Sequence, residues 1–478
     1  MEFLWYDYET TGRSWMRDRI VQFSGIRTDE GLRQIGAPIT LYCKPALDNL
    51  PRVGACLVHG IAPQEAERRG LSEHEFATKI HEELSRPNTC AVGYNAANFD
   101  HRFTQFLFYR NLRHPYEWAY RNGNSKWDII NLARAAFVFH GDQFKWPRDE
   151  EGRVRFGLEA LAEANGIAVE QAHDALSDVR TLIKLAKLIR ERVPRLFTYH
   201  LSLRRKREVE KILRGRTFIY VSGGVVHQRQ TGTIGTCLGS DAKNKCKFYI
   251  HDLAHDPRNY DKATDAAGRT EVPGFYTLKS NAAPFVVALD IIDQEPTDPR
   301  FDKLDLKLDD LRKHHQLLKG WEGFIVRAAK SWLPRRFERN NETDVDSALY
   351  EKFPSPSDIP KLKKILKSPT DSSTWLGIEF DDNRLGELLF RFRARNFPEF
   401  LLPDEKERWY EHCRRRIFKK KDGRTALQRY MRDIEEKRKE NPPPHIRALL
   451  DKLEAYGKKR QEELKKEKLT PAEQLYLF

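Results

Sequence analysis

At 478 residues the chain is too long for one ordinary core, so two or three domains are expected. A formal charge of +14, with 32% charged residues, favours a polyanionic partner, nucleic acid above all. The six cysteines (Cys43, Cys56, Cys90, Cys237, Cys246 and Cys413) are scattered without a C-x-x-C pair, so neither a disulfide framework nor a zinc site is suggested, and no apolar run reaches membrane-spanning length.

Residues 1 to about 195 read as α/β. The apolar and aromatic run from Phe3 to Tyr8 predicts a buried strand, ended by the turn Thr10-Thr11-Gly12. Strand alternation puts Asp7 and Glu9 on one face. Buried side by side, two carboxylates repel, and a hard divalent cation such as Mg2+ is their natural companion; a pair of exposed acids on an edge strand is the plainer alternative. Arg19 to Arg27 and Gly36 to Cys43 predict two more strands in a meander. A helix is expected from Ser72 to Leu84, with Ser72 and Glu75 as a capping box. Thr89 to Tyr94 predicts another buried strand, which delivers Asn95 to Asp100. Asn98 is expected to cap the next helix, placing Asp100 in a first turn where the helix dipole accommodates an acid.

Trp127 to Ile130 is expected to open a further helix, Gly141 to Arg155 to form a polar loop, and Phe156 to Gly166 to form a short helix stopped by Asn165-Gly166. Ala172 to Asp178 then runs into an amphipathic helix reaching about Arg190. With Asp174 as its cap, His173 and Asp178 can face one cleft. Glu2 and Asp7 interrupt the N-terminus, so no signal peptide is read and the cytoplasm is the expected compartment.

The order Asp-x-Glu, Asn-x-x-Asn-Phe-Asp, His-x4-Asp within one α/β region resembles the DEDD exonucleases with a catalytic histidine, the DEDDh group. Further stretches are similar to the bacterial exonuclease I family: Asn124-Ser125-Lys126-Trp127-Asp128, Pro194-Arg195-Leu196-Phe197, and Leu388 through Pro398. The resemblance implies a ribonuclease H-like exonuclease domain over 1–195, an SH3-like β domain over 201–350, a helical domain over 354–470, and a tail over 471–478. Strand-like runs at Thr217–Val221, Lys247–Ile250 and Pro284–Leu289 agree with the middle assignment. It also implies a magnesium-dependent 3′→5′ exodeoxyribonuclease of single-stranded DNA, releasing nucleoside 5′-monophosphates in repair and recombination. Asp7, Glu9, Asp100 and Asp178 would hold two Mg2+ ions, with Mn2+ as a substitute, and His173 would take the water's proton. Asp7, leaving the central strand, is the expected bridging ligand.

Single-stranded DNA calls for stacking rings and backbone cations. Tyr116, Trp118, Tyr120 and Phe156 are candidate platforms, with core packing as the alternative for each. Asn124 and Ser125 fall in a family-like motif, and Arg134 and Lys206 match DNA-contacting basic positions of the family. The runs Arg414–Arg416 and Lys419–Lys421 read as solvated faces that attract DNA. Departures stand out too: Gly157 replaces a family arginine expected to touch substrate, and His140 replaces a basic residue that helps hold the tail of the single-stranded-DNA-binding protein, while Tyr199 still matches. The final Gln474-Leu475-Tyr476-Leu477-Phe478 resembles the peptide by which bacterial replication proteins bind the sliding clamp; Gln474, Leu475, Leu477 and Phe478 are its expected contacts. A monomer is expected. Rival readings are a DEDDh ribonuclease of the RNase T or oligoribonuclease type, and a nucleic-acid-binding module without catalysis.

Overall fold

The computed structural model describes residues 1–169, 174–214, 217–225, 231–258, 274–295, 304–319, 344–352, 354–371 and 375–466. His173 and the tail residues Gln474, Leu475, Leu477 and Phe478 lie outside them. Strands β1 (Glu2–Thr10), β2 (Ile20–Thr28) and β3 (Gln34–Tyr42) form the expected antiparallel meander. Strands β4 (Thr89–Gly93) and β5 (Ser125–Asp128) extend the sheet on the other side of β1, in parallel, giving the order β3-β2-β1-β4-β5. Because β1 is central and covered on both faces, Phe3, Leu4, Trp5 and Tyr6 are all buried, which is why its sequence reads as a continuous apolar run.

Local signals set several boundaries. Ser72 caps the helix Glu73–Ser85 in the expected capping box, its Oγ accepting from Glu75 N at 3.2 Å. Asp174 caps the helix Ala175–Arg192 by accepting from Ser177 N at 3.1 Å. One expectation fails and one shifts. Asn98 does not cap the helix Asp100–Arg110; its amide donates to Asn95 Oδ1 at 3.0 Å, and Phe99 occupies the cap position. The helix expected to open at Trp127 to Ile130 is present as Ile129–His140 with Asp128 as its cap, but Trp127 and Asp128 themselves pair with Val92 and Gly93 as β5. Burial explains the difference. Trp127 lies in the core against Phe3 and Phe197, a position on a strand between two layers that local helix propensity does not anticipate.

The second sheet contains β6 (Thr217–Val221), β7 (Gly232–Ser240), β8 (Lys247–Asp252), β9 (Phe275–Lys279) and β10 (Phe285–Ala288), antiparallel throughout in the order β10-β6-β7-β8-β9. One buried histidine joins the two sheets. His200 Nδ1 accepts from Trp127 Nε1 at 3.0 Å, so the proton sits on Nε2, which donates to Ala283 O at 3.1 Å. Burial pushes this imidazole down to about 4, keeping it neutral and able to both accept and donate.

The C-terminal region is helical: Asn383–Asn396, Pro403–Phe418, Ala426–Lys439 and Pro444–Lys466. A lattice of buried ion pairs ties it to the first sheet. Arg395 reaches Asp48 at 2.8 Å and Asp346 at 3.0 Å. Arg19 lies 3.8 Å from Asp48 and 3.5 Å from Asp346, and Arg416 is 3.7 Å from Asp48. Burial alone would raise the carboxyls of Asp48 and Asp346, but Arg395 and its neighbours hold both well below the usual carboxylate range. Truncating one partner strands the other charge in the interior, so Arg395→Met is expected to cost about 3–5 kcal/mol. The urea midpoint followed by tryptophan fluorescence should fall accordingly, whereas Lys211→Met, in the exposed pair with Glu208, should barely move it. An unchanged midpoint for Arg395→Met would refute the lattice as a structural tie.

Candidate active site

Pairing between β1 and β4 ends at Trp5–Val92, so β1 outruns its parallel neighbour. Asp7 and Glu9 therefore emerge at the carboxyl end of the parallel strands, where α/β sheets leave an open crevice. Asp178 arrives from the first turn of the helix Ala175–Arg192, which packs on β1 and β2. Carboxylate oxygens of Asp7, Glu9 and Asp178 all lie within 4.8 Å of one another. Asp100, first residue of its helix, does not join that tight group, but its charge bears on both Asp7 and Glu9.

The electrostatics are strained in one direction. Desolvation, then Asp178 and Asp100, push the Glu9 carboxyl up to about 8. Desolvation raises Asp100 to about 7, and desolvation with Glu159 and Asp174 raises Asp178 to about 7. Asp7 is raised well above the ordinary range by burial and by Asp100, Glu9 and Asp178. Among the described residues, Asp100 Oδ1 and Asp178 Oδ1 are buried without a hydrogen-bond donor. Crowded carboxylates, orphaned oxygens and a donor set made only of hard oxygen suit a divalent cation of the Mg2+ or Ca2+ type rather than a soft metal.

The approach to Asp100 is held by a residue not singled out from the sequence. Asp128, at the end of β5, accepts from Asn95 N at 2.8 Å, Ala97 N at 3.0 Å and Ile130 N at 3.2 Å. It thereby shapes the loop that enters the Asp100 helix and caps the helix Ile129–His140. The side chain of Asn95 is left to receive Asn98, at a left-handed backbone position with φ of 58°.

Two concavities flank the acidic end of β1. One, of about 880 Å3, includes Glu9 and is walled by Arg13, Trp15, Met16, Arg52, Val58 and Phe99. The other, a cleft of about 750 Å3, lies between the two sheets and is lined by Arg102, Tyr116, Tyr120, Lys126, Lys279 and Tyr350, among others. Burial, then Lys279, push the Lys126 ammonium down to about 8. Lys126 entered the sequence reading only as part of a family-like stretch, and Arg13, Trp15, Met16, Arg52 and Val58 of the first pocket share no spacing in the chain that would mark them.

The expected DNA contacts divide. Tyr116 and Tyr120 both face the cleft, and Tyr120 is 60% exposed. Trp118 borders the same cleft but is buried, with Nε1 donating to Pro115 O at 3.0 Å, so it belongs to the core. Asn124 is corrected: its amide oxygen accepts from Thr89 N at 2.9 Å and its nitrogen donates to Leu84 O and Trp118 O, which leaves the side chain nothing for DNA. Ser125 begins β5 opposite Cys90. Phe156 is wedged edge-on between Phe137 and Trp146, with Arg134 at 5.8 Å from its ring. Arg134 also donates to Asn131 and abuts Gly223 of the second sheet. Lys206 is exposed at the start of the helix Lys206–Leu213, where the helix dipole disfavours a cation.

Comparison with known proteins places this geometry. A family model described as Exonuclease matches residues 4–186, and one described as Exonuclease I C-terminal domain matches residues 343–460. The chain is 35% identical over 434 residues to exodeoxyribonuclease I of Escherichia coli strain K12, covering 87% of this chain and 90% of that protein. Exonuclease I from Methylocaldum szegediense superposes with a TM-score of 0.86 at 37% identity, covering 96% of this chain and 99% of the other. E. coli exonuclease I in complex with a dA16 oligonucleotide superposes with a TM-score of 0.88 at 32% identity, with the same coverage. With its acidic strand end, its flanking cleft and its helical C-terminal region all within the matched length, the chain belongs to the exodeoxyribonuclease I family of hydrolytic exonucleases.

Proposed function

We propose that this chain degrades single-stranded DNA from the 3′ end, releasing nucleoside 5′-monophosphates, with a pair of Mg2+ ions as cofactor and Mn2+ as a substitute. The observation that carries the reading is the group of Asp7, Glu9 and Asp178 within 4.8 Å of one another beside a cleft lined by cations and tyrosines. Asp7, Glu9, Asp100 and Asp178 are the residues that would hold the ions. When bound, such ions supply Lewis acidity to both the attacking and the departing oxygen of the phosphodiester.

The protein groups do the rest. His173, one residue before the helix cap Asp174, takes the proton of the attacking water; an imidazole titrates near neutrality and can both accept and return it. The pocket beside Glu9 receives the terminal nucleoside, and Trp15, Met16 and Phe99 offer it apolar surface. Tyr116 and Tyr120 stack on upstream bases in the cleft, while Lys126 and Lys279 offset the phosphate charge. Arg134 and Lys206 extend that basic surface.

The reading extends to organisation and partners: an exonuclease domain over 1–195, a β domain over 201–350 and a helical domain over 354–470, acting as a cytoplasmic monomer. The matched family segments at 4–186 and 343–460 support the outer two. A solved structure described as SSB/Exonuclease I supports the single-stranded-DNA-binding protein as a partner. Tyr199, beside Arg195 in a shallow surface hollow, is the natural contact, with His140 in place of the family's basic residue at that edge. The tail Gln474-Leu475-Tyr476-Leu477-Phe478 would engage a sliding clamp through its leucines and phenylalanine.

With 5′-labelled oligonucleotides and Mg2+, single-stranded DNA should shorten from its 3′ end, and EDTA or Asp7→Ala should abolish this; faster digestion of RNA would move the chain to the ribonuclease branch. Deleting residues 474–478 should remove clamp binding and leave the nuclease rate unchanged. Clamp binding by the truncated chain would overturn the tail reading. The raised carboxyls add a thermal test. Between the unfolded carboxyl range near about pH 4 and the folded values of about 7–8, the metal-free folded protein holds protons that the unfolded chain has released, so its stability falls as pH rises. Bound Mg2+ opposes that loss, so its gain in Tm should be larger at about pH 8.5 than at about pH 6. A gain independent of pH would locate the ions elsewhere.

A further inference from the structure

The mechanism above leaves one cation unused at its most telling position. Arg102 lies in the first turn of the helix Asp100–Arg110, two residues after the carboxylate that helps form the acidic end. Its guanidinium lies over the Trp15 ring, with Cζ at 4.3 Å from the ring centroid. Trp15 walls the pocket that contains Glu9, whereas Arg102 lines the cleft between the sheets. The pair therefore stands at the passage from one to the other. Five buried arginines of this protein, Arg19, Arg27, Arg110, Arg391 and Arg395, are paired with carboxylates. No carboxylate among the described residues pairs with Arg102, although a partly buried guanidinium has five donors to satisfy. Its positive charge bears on Lys279, whose ammonium is pushed down by desolvation, then by Arg102 and Lys247. The neighbour one turn on, Gln105, is engaged otherwise, its amide oxygen accepting from the Tyr350 hydroxyl at 3.1 Å.

We propose that Arg102, held over the Trp15 ring, grips the backbone phosphate next upstream of the scissile one and so sets the strand where it passes from the cleft into the Glu9 pocket. A planar guanidinium suits this because it can take two phosphate oxygens at once while its face remains stacked. A lysine could offer only a point charge without the stack. Fixing the adjoining phosphate constrains the scissile group in both distance and orientation, which is worth more than affinity alone.

The inference rests on the strand-binding reading given above, and the test separates the two. The full chain in EDTA is titrated against a fluorescein-labelled oligothymidylate by anisotropy at a series of NaCl concentrations. Arg102→Met keeps the aliphatic stem but removes one phosphate contact, so the slope of log K against log salt should fall in magnitude by about 0.7, with affinity down roughly tenfold. Arg102→Lys should recover the slope. A second measurement changes the DNA instead. A single neutral methylphosphonate placed at successive linkages should weaken wild-type binding at the linkage Arg102 holds, and that linkage should become silent in Arg102→Met. An unaltered slope, or an Arg102→Met protein that responds to every linkage as wild type does, overturns the inference. Absence of strand binding by the wild type would overturn the functional reading and this inference with it.

Discussion

Repulsion among four carboxyl groups at the end of one strand is the constraint around which this molecule is arranged. Asp7 and Glu9 share a face of β1, Asp178 comes from a helix laid across that strand, and Asp100 from the helix that follows β4. Among the described residues no buried cationic side chain sits among them to relieve the repulsion, as the uniformly raised carboxyls record. The cost is borne by the surrounding scaffold: the Trp5–Trp127 core beneath, the Asp128 carboxylate that collects three backbone N–H groups, and the Tyr8 hydroxyl bonded to Thr104 at 2.9 Å. A site built this way is poised for cations, since their arrival turns an unfavourable cluster into a coordinated one.

The opposite strategy holds the C-terminal helices in place. There, carboxylates and guanidinium groups are buried together, and Asp48, Asp346, Arg19 and Arg395 compensate one another. Such a lattice is a poor source of net stability, because desolvation offsets much of the attraction, but it is strict about geometry. Arg19 and Asp48 also adjoin, in sequence or by hydrogen bond, the loops that wall the pocket beside Glu9. Arg19 N donates to Thr11 Oγ1 at 2.8 Å, and Asn49 donates to Arg17 O at 3.1 Å, so the loops that wall the pocket are anchored through the same charges that dock the helices. The C-terminal region thus braces the pocket it never enters.

Between the sheets the charges are neither crowded acids nor matched pairs. Burial, with Lys279 beside Lys126 and with Arg102 and Lys247 beside Lys279, pushes both ammonium groups down in a cleft edged by Tyr116, Tyr120 and Tyr350. Unmatched positive charge beside ring faces is what a single strand of nucleic acid completes, with phosphate on the cations and bases on the rings. Three arrangements of charge therefore serve three ends in one chain: acids awaiting cations, pairs that lock, and cations awaiting phosphate.

How much of this was legible in the sequence depends on the range of the forces involved. Strand β1, the Ser72 and Asp174 caps and the shared face of Asp7 and Glu9 follow from alternation and from side chains bonding backbone within a few residues, so the sequence alone determined them. Asp7 and Glu9 stand at a strand end, and Asp100 and Asp178 at helix starts, where local pattern had put them. Trp127 misled because its strand identity comes from pairing with β4, some 35 residues earlier in register with Val92. Asn124 and Trp118 misled because polarity and aromaticity do not say which face is wet; burial decided that Asn124 fastens a loop and Trp118 fills the core. The Glu9 pocket, the cleft and the Trp15–Arg102 contact join segments far apart in the chain and depend on which surfaces the two sheets and the C-terminal helices leave uncovered. Local chemistry thus determined where the carboxylates would stand, and tertiary packing alone decided what surrounds them, because solvent exclusion and charge pairing act between surfaces that have no relation along the sequence.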